Sequence, residues 1–182
     1  MPDFFNGEVL DSQAIHEGRW GDIDLPGFSA RNARHIREPT IFGAARDIRS
    51  KGYAKIGAIG FCFGGWAVLR LATPLPENDN KPLVDAIVCA HPSWVVEKDF
   101  DGVSVPIMFL APEVDKPFPD ELKAYAFKAL VAKKKVQFEW VHFPGVEHGC
   151  LTKGDEQVKG ERAAMAKGKV AAVRWFKEWL SG

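Results

Sequence analysis

The sequence predicts an α/β fold, a mainly parallel sheet with helices on both faces. Three observations lead there. Short apolar runs at 55–61, 84–90 and 106–110 suit strands buried on both sides. Helical periodicities fall between and after them. The two kinds of segment alternate along the chain, which is the order of crossover units that build a parallel sheet.

Taken in order, residues 1–38 carry Gly, Asp, Asn and Pro throughout, with Trp20, Leu25 and Phe28 scattered among them. No convincing strand is visible, so this stretch is expected to be an irregular covering segment over an α/β core at 39–182, within one domain spanning 1–182. From Pro39, the spacing of Ile41, Ala44, Ala45 and Ile48 predicts a helix that Gly52 terminates. The run 55–61 reads as a buried strand, and 63–72, apolar nearly all round, as a buried helix. Two further strands follow at 84–90 and 106–110. Leu122, Ala126, Ala129 and Leu130 mark a helix face. Val136, Phe138 and Trp140 alternate with Gln137 and Glu139, a fourth strand with one wetter face. Ala163, Ala166, Val170, Val173, Phe176 and Leu180 complete a terminal amphipathic helix.

Composition narrows the function. The 182 residues are 46% hydrophobic and 26% charged, enough for one core-bearing domain. With 24 basic and 24 acidic side chains the formal net charge is zero, which argues against a nucleic-acid partner. The short run Lys133-Lys134-Lys135 reads as a solvated helix end. No apolar stretch is long enough to span a bilayer, and Met-Pro-Asp-Phe-Phe-Asn lacks the pattern of a signal peptide. Three widely spaced cysteines (Cys62, Cys89 and Cys150) make a poor disulfide framework, so free thiols and a cytoplasmic location are expected.

The most informative stretch is Gly60-Phe61-Cys62-Phe63-Gly64-Gly65, between a predicted strand and a predicted helix. It is the nucleophile-elbow pattern with cysteine in the serine position. The glycines permit a tight turn that lifts Cys62 to the strand end, and the following helix aims its N-terminal dipole at the sulfur, favouring thiolate. The backbone amide of Phe63 is placed to donate to a developing oxyanion. Asp115 lies just past the third strand and His148 just past the fourth. Nucleophile, acid, histidine is the chain order of this kind of hydrolase, and a parallel sheet brings all three to its carboxyl edge. Each residue alone has an ordinary explanation as a buried thiol, a solvated turn carboxylate or a loop histidine. The ordered set points to Cys62 as nucleophile, His148 as base and Asp115 as its orienting acid. His91 and Trp94 are candidates for the pocket border, with strand capping and core packing as the alternatives. His142, His148 and Cys150 are weighed as a metal site and set aside in favour of a packed histidine; no cofactor or metal is expected.

These residues resemble the dienelactone hydrolase family of the α/β-hydrolase fold, in its fungal-type branch. Pro2-Asp3-Phe4-Phe5-Asn6-Gly7, the elbow at 56–65, His91-Pro92-Ser93, the Asp115 loop, Pro144-Gly145-Val146-Glu147-His148-Gly149 and Val173-Arg174-Trp175-Phe176 carry the resemblance along nearly the whole chain. It implies the triad Cys62, Asp115 and His148 acting on small esters or lactones. Two departures matter. The family has several strands and a loop before its Pro-Asp-Phe-Phe-like segment, so the resemblance implies a partial sheet of about four strands, without the loop that supplies a second oxyanion amide. Its elbow strand would then present an open apolar edge, a place for a homo-oligomer contact. After His148-Gly149 the family's aromatic residue and arginine are replaced by Cys150, Leu151, Thr152 and Lys153, leaving Lys153 as a point charge for an anionic substrate. The competing expectation is a catalytically impaired homologue that acts through interactions.

Overall fold

The structure, a computed structural model, describes residues 2–181. In chain order, the first elements are α1 (Ser12–His16), α2 (Leu25–Arg31) and α3 (Arg34–Ser50), followed by the strand–helix pair β1 (Gly57–Cys62) and α4 (Phe63–Leu71). Then come β2 (Ala86–Pro92), α5 (Glu97–Asp101), β3 (Ile107–Val114) and α6 (Asp120–Ala132). The chain closes with β4 (Phe138–Glu147), α7 (Cys150–Lys153) and α8 (Glu161–Leu180). The four strands form one parallel sheet in the order β1-β2-β3-β4, as the alternation of segments requires.

Period-two alternation divides the core. Ile87, Cys89, Ile107 and Phe109 face α3, α4 and α6, where they join Phe42, Trp66, Leu69 and Leu130. Val88, Ala90, Met108 and Leu110 face the other way, onto Cys150, Leu151, Ala172 and Trp175. β2 is buried along its whole length, which is why it reads as a continuous apolar run.

Residues 2–38 are less irregular than expected. Asp11 caps α1 by accepting from the amides of Gln13 and Ala14, and Asp24 caps α2 by accepting from Gly27. α3 begins at Arg34 rather than Pro39, and Pro39 sits inside it. Phe5 packs between Phe28 and Phe63 with its ring tilted to both, each centroid separation being 5.1 Å.

β1 is an edge strand, paired only with β2 among the described residues. Phe5 of the N-terminal segment reaches the Phe63 end of α4, while Ile59 in β1 remains 43% exposed. β4, at the opposite edge, runs to Glu147, well beyond the alternating stretch; an edge position tolerates Pro144, which has no amide to donate.

Two glycines set the closeness of β1, α4 and β2. A Cβ on Gly60 would lie 1.9 Å from the Gly64 carbonyl oxygen, and one on Gly65 would lie 2.6 Å from Cβ of Pro92. Because the first clash is with backbone, Gly60→Ala should lower unfolding free energy by about 3 kcal/mol or more. Denaturant titration checks this; a midpoint equal to that of the parent would show that the turn has room to relax.

Candidate active site

The candidate residues gather where the strands end. Cys62 closes β1 and directly precedes α4, with φ 53° and ψ −119°. That backbone conformation is rarely adopted by a residue with a side chain, and it turns the thiol outward from the sheet. Among the cysteines, Cys62 is exposed, whereas Cys89 and Cys150 are buried. The sheet register shifts beside it, so that Cys62 pairs with Pro92 rather than His91. This brings Ser93 alongside: its amide donates to the Cys62 carbonyl at 2.9 Å, and its hydroxyl lies 3.2 Å from the Cys62 sulfur.

Asp115 and His148 follow β3 and β4. The last pairing of these strands, Val114 with Glu147, comes after an irregularity at Pro112–Val114 and places the two loops side by side. The His148 amide donates to the Val114 carbonyl at 2.9 Å. Its ring Nδ1 donates to Oδ1 of Asp115 at 2.7 Å. Asp115 is buried, and the same oxygen also accepts from the Phe118 amide at 3.1 Å. The carboxyl group is therefore fixed by backbone before it fixes the imidazole.

The electrostatics of the pair are reciprocal. Desolvation pushes the Cys62 thiol up, but hydrogen bonds from His148 and Ser93, the charge of His148 and the Phe63 amide together bring its pKa below the ordinary value. Burial pushes His148 down, yet hydrogen bonds to Asp115 and Cys62 and their charges hold its pKa up at about 9. Each group thus favours the charged form of the other, which is a thiolate beside an imidazolium. The buried cysteines behave in the opposite way. Burial drives Cys89 well above the normal thiol range and Cys150 up to about 12.

The remaining candidates have distinct placements. His91 is 1% exposed and lies against His148, with ring centroids 4.8 Å apart in an edge-on arrangement. Burial and the nearby charge of His148 push its pKa down to about 3, so it is a neutral ring beneath the imidazolium. Its connection to the site runs through His148. Trp94 is half-buried and meets Phe63 edge-on at 5.1 Å, and Phe63 continues to Trp66 at 5.2 Å. Together with Phe5 these rings form an aromatic wall next to Cys62. Lys153 ends α7, exposed, with its aliphatic stem beside Gly149 and its charge contributing to the low pKa of His91.

Sequence reasoning did not single out Arg34. This residue begins α3, donates to the Trp94 carbonyl at 3.1 Å, pairs with buried Asp99 and covers the Trp66 ring at 4.9 Å. It ties the N-terminal segment to the aromatic wall. No local signal announces a contact between residues so far apart in the chain. The set His142, His148 and Cys150 is not brought together: His142 is exposed, on the face of β4 that carries Phe138 and Trp140, whereas Cys150 is buried on the other face. Among the described residues, no group of three His, Cys, Asp or Glu side chains is placed to hold a metal ion. None of the described helices is long and apolar enough to cross a membrane.

A parallel sheet flanked by helices, with a cysteine at the strand-to-helix turn and a histidine–carboxylate pair at neighbouring strand ends, defines a domain of the α/β-hydrolase class. The profile of the Dienelactone hydrolase family matches residues 1–180, and the chain belongs to that family. It is 29% identical over 184 residues to Hydrolase tropI of Talaromyces stipitatus, covering 99% of this chain and 69% of the relative. Hydrolase pyvD of Aspergillus violaceofuscus is 26% identical over the same shares. In fold, the chain is similar to a Klebsiella pneumoniae crystal structure assigned to the dienelactone hydrolases. The TM-score is 0.69 at 17% identity, over 86% of this chain and 68% of the other.

Proposed function

We propose that the chain hydrolyses small esters or lactones through a Cys62–His148–Asp115 triad and a thioester acyl-enzyme. The observation that carries this reading is the linked geometry of the site: an exposed thiol of lowered pKa, interacting with an imidazole whose other nitrogen is 2.7 Å from a buried carboxyl oxygen. Membership of a hydrolase family and the matching names of its relatives support the reaction class.

In this mechanism the Cys62 thiolate attacks the acyl carbon, and the carbonyl electrons move onto oxygen. The Phe63 amide donates to that oxyanion. His148, protonated at the outset, gives its Nε2 proton to the departing alkoxide, and the acyl group stays on sulfur. The neutral imidazole then takes a proton from water. The resulting hydroxide attacks the thioester, and the carboxylic acid leaves as the thiolate re-forms. Asp115 holds Nδ1–H throughout, keeping Nε2 toward the sulfur. Trp94 and Phe63 supply an apolar wall for the acyl or alcohol portion. Exposed Lys153 offers a single positive charge to an anionic substrate. Pretreatment with iodoacetamide should abolish turnover of small aryl esters, in step with the fraction of Cys62 alkylated. Full turnover by the alkylated protein would defeat this reading.

The open edge of β1 supports a second reading, in which the site residues persist in a protein that works by association. This predicts ester hydrolysis at the background rate together with a stable homo-oligomer. Light scattering on a turnover-competent sample separates the two, because an active monomer contradicts it.

A further inference from the structure

We infer that Ser93 is a catalytic residue of this site, whose hydroxyl donates a hydrogen bond to the Cys62 thiolate and holds the sulfur in its attacking position. This deepens the triad reading and rests on Cys62 being the nucleophile.

The placement of Ser93 is built by the backbone. The one-residue shift in the β1–β2 register sets Cys62 against Pro92, and the Ser93 amide then bonds to the Cys62 carbonyl at 2.9 Å. Ser93 is 5% exposed, and its hydroxyl is 3.2 Å from Sγ. The residues on either side of the Pro92–Ser93 pair are both left-handed without being glycine: His91 at φ 32° and Trp94 at φ 60°. Such strain persists only where surrounding contacts enforce it. Here, Arg34 clamps the Trp94 carbonyl at 3.1 Å while buried Asp99 holds the guanidinium. A turn that served only to end β2 has no need of two strained residues. A turn that must present one hydroxyl to the neighbouring strand's thiol does.

The direction of the hydrogen bond follows from the proton's location. With the thiol proton on His148, sulfur is an acceptor only, and the serine hydroxyl is the donor. The other titratable groups around the sulfur are few. His148 faces it from the loop after β4, with Asp115 behind the ring and neutral His91 beneath it. Lys153 on α7 acts on His91 rather than on the thiol directly. Phe63 contributes a backbone amide from the other side. Among the described residues, Ser93 is thus the single uncharged side chain that supports the thiolate. It needs no titration of its own, so it acts at any pH at which the thiolate exists.

The experiment is the pH profile of Cys62 alkylation by iodoacetamide, followed by mass of the modified peptide. Cys89 and Cys150 are buried with raised pKa values, so they do not compete. Ser93→Ala keeps the amide bond to Cys62 and loses only the hydroxyl. On the acid side of the profile its alkylation should slow roughly tenfold, the worth of a hydrogen bond to a charged group, and converge with the parent at high pH. Ser93→Thr should restore the parent rate. A folded Ser93→Ala protein with an unchanged profile would overturn the assignment. Ester turnover is measured in parallel and answers the other question. Absent turnover with a Ser93-dependent profile defeats the hydrolase reading and upholds the contact, whereas normal turnover with an unchanged profile does the reverse.

Discussion

Cys62→Ala should reduce ester hydrolysis to the buffer rate, a loss on the order of 10⁴-fold or more, because among the described residues no second nucleophile is placed to take its role. The other two thiols are buried and held in the neutral form, and the Ser93 hydroxyl is itself buried and directed at the Cys62 sulfur rather than at the imidazole. The same substitution should leave the fold intact. Cys62 is exposed, so removing its sulfur opens no core cavity, and the change in unfolding free energy should stay within about 1 kcal/mol. Steady-state kinetics on a chromogenic ester, beside a denaturant melt, checks both parts. Retained turnover would move the chemistry to another residue. A collapsed melt would mean that the thiol supports the strained turn.

Asp115→Asn is expected to have the second largest effect, lowering turnover near neutral pH by roughly 10³–10⁴-fold. An amide can present its NH₂ to Nδ1, which leaves Nδ1 unprotonated and puts the neutral ring's proton on Nε2, so that Nε2 donates and cannot take a proton from water. The pH profile should move as well. In the parent, the charged pair exists above the lowered pKa of Cys62 and below about 9, where His148 gives up its proton. Activity should therefore rise as the thiol ionises and fall as pH passes about 9. Without the Asp115 carboxylate, burial wins and His148 loses its proton at lower pH, so the alkaline limb shifts toward neutrality. Stability carries the same sign. The His148 interaction, raised from an ordinary 6.5, is fully present below that value and is lost as pH rises through about 9. A parent profile flat through that range would show that the imidazole is not charged in the folded state.

The parts of this architecture visible in the sequence are those governed by local rules. β2 and β3 are covered on both faces, so their apolar runs stand out from their neighbours. The Cys62 turn is visible because Gly60 and Gly65 admit no side chain, and steric necessity leaves a mark in composition. Asp115 and His148 are legible from their positions after strands, since a parallel sheet carries all such residues to one edge.

What escaped depends on context. α1 and α2 are short helices held by the side-chain caps of Asp11 and Asp24, and they show little apolar periodicity. α3 extends back to Arg34 because that residue is anchored to Trp94 and Asp99, and the contact outweighs the interruption at Pro39. β4 continues through Pro144 because it lies at the sheet's edge, which cannot be read before the strand order is known. His91, a candidate for the pocket border or for a cap on the strand end, lies buried against His148, and Ser93 reaches the sulfur through a register shift of one residue. The open edge of β1 was foreseeable from the family resemblance, and Ile59 shows its apolar character directly.

The central claim is that Cys62 carries the acyl group during turnover, and acid quenching during hydrolysis of an activated ester tests it most directly. Intact mass and peptide mapping should find one acyl group per chain, on Cys62 and labile to hydroxylamine. The adduct should accumulate further in Asp115→Asn, where water activation is impaired. Turnover with no covalent adduct, or with the adduct on any other residue, would contradict the account.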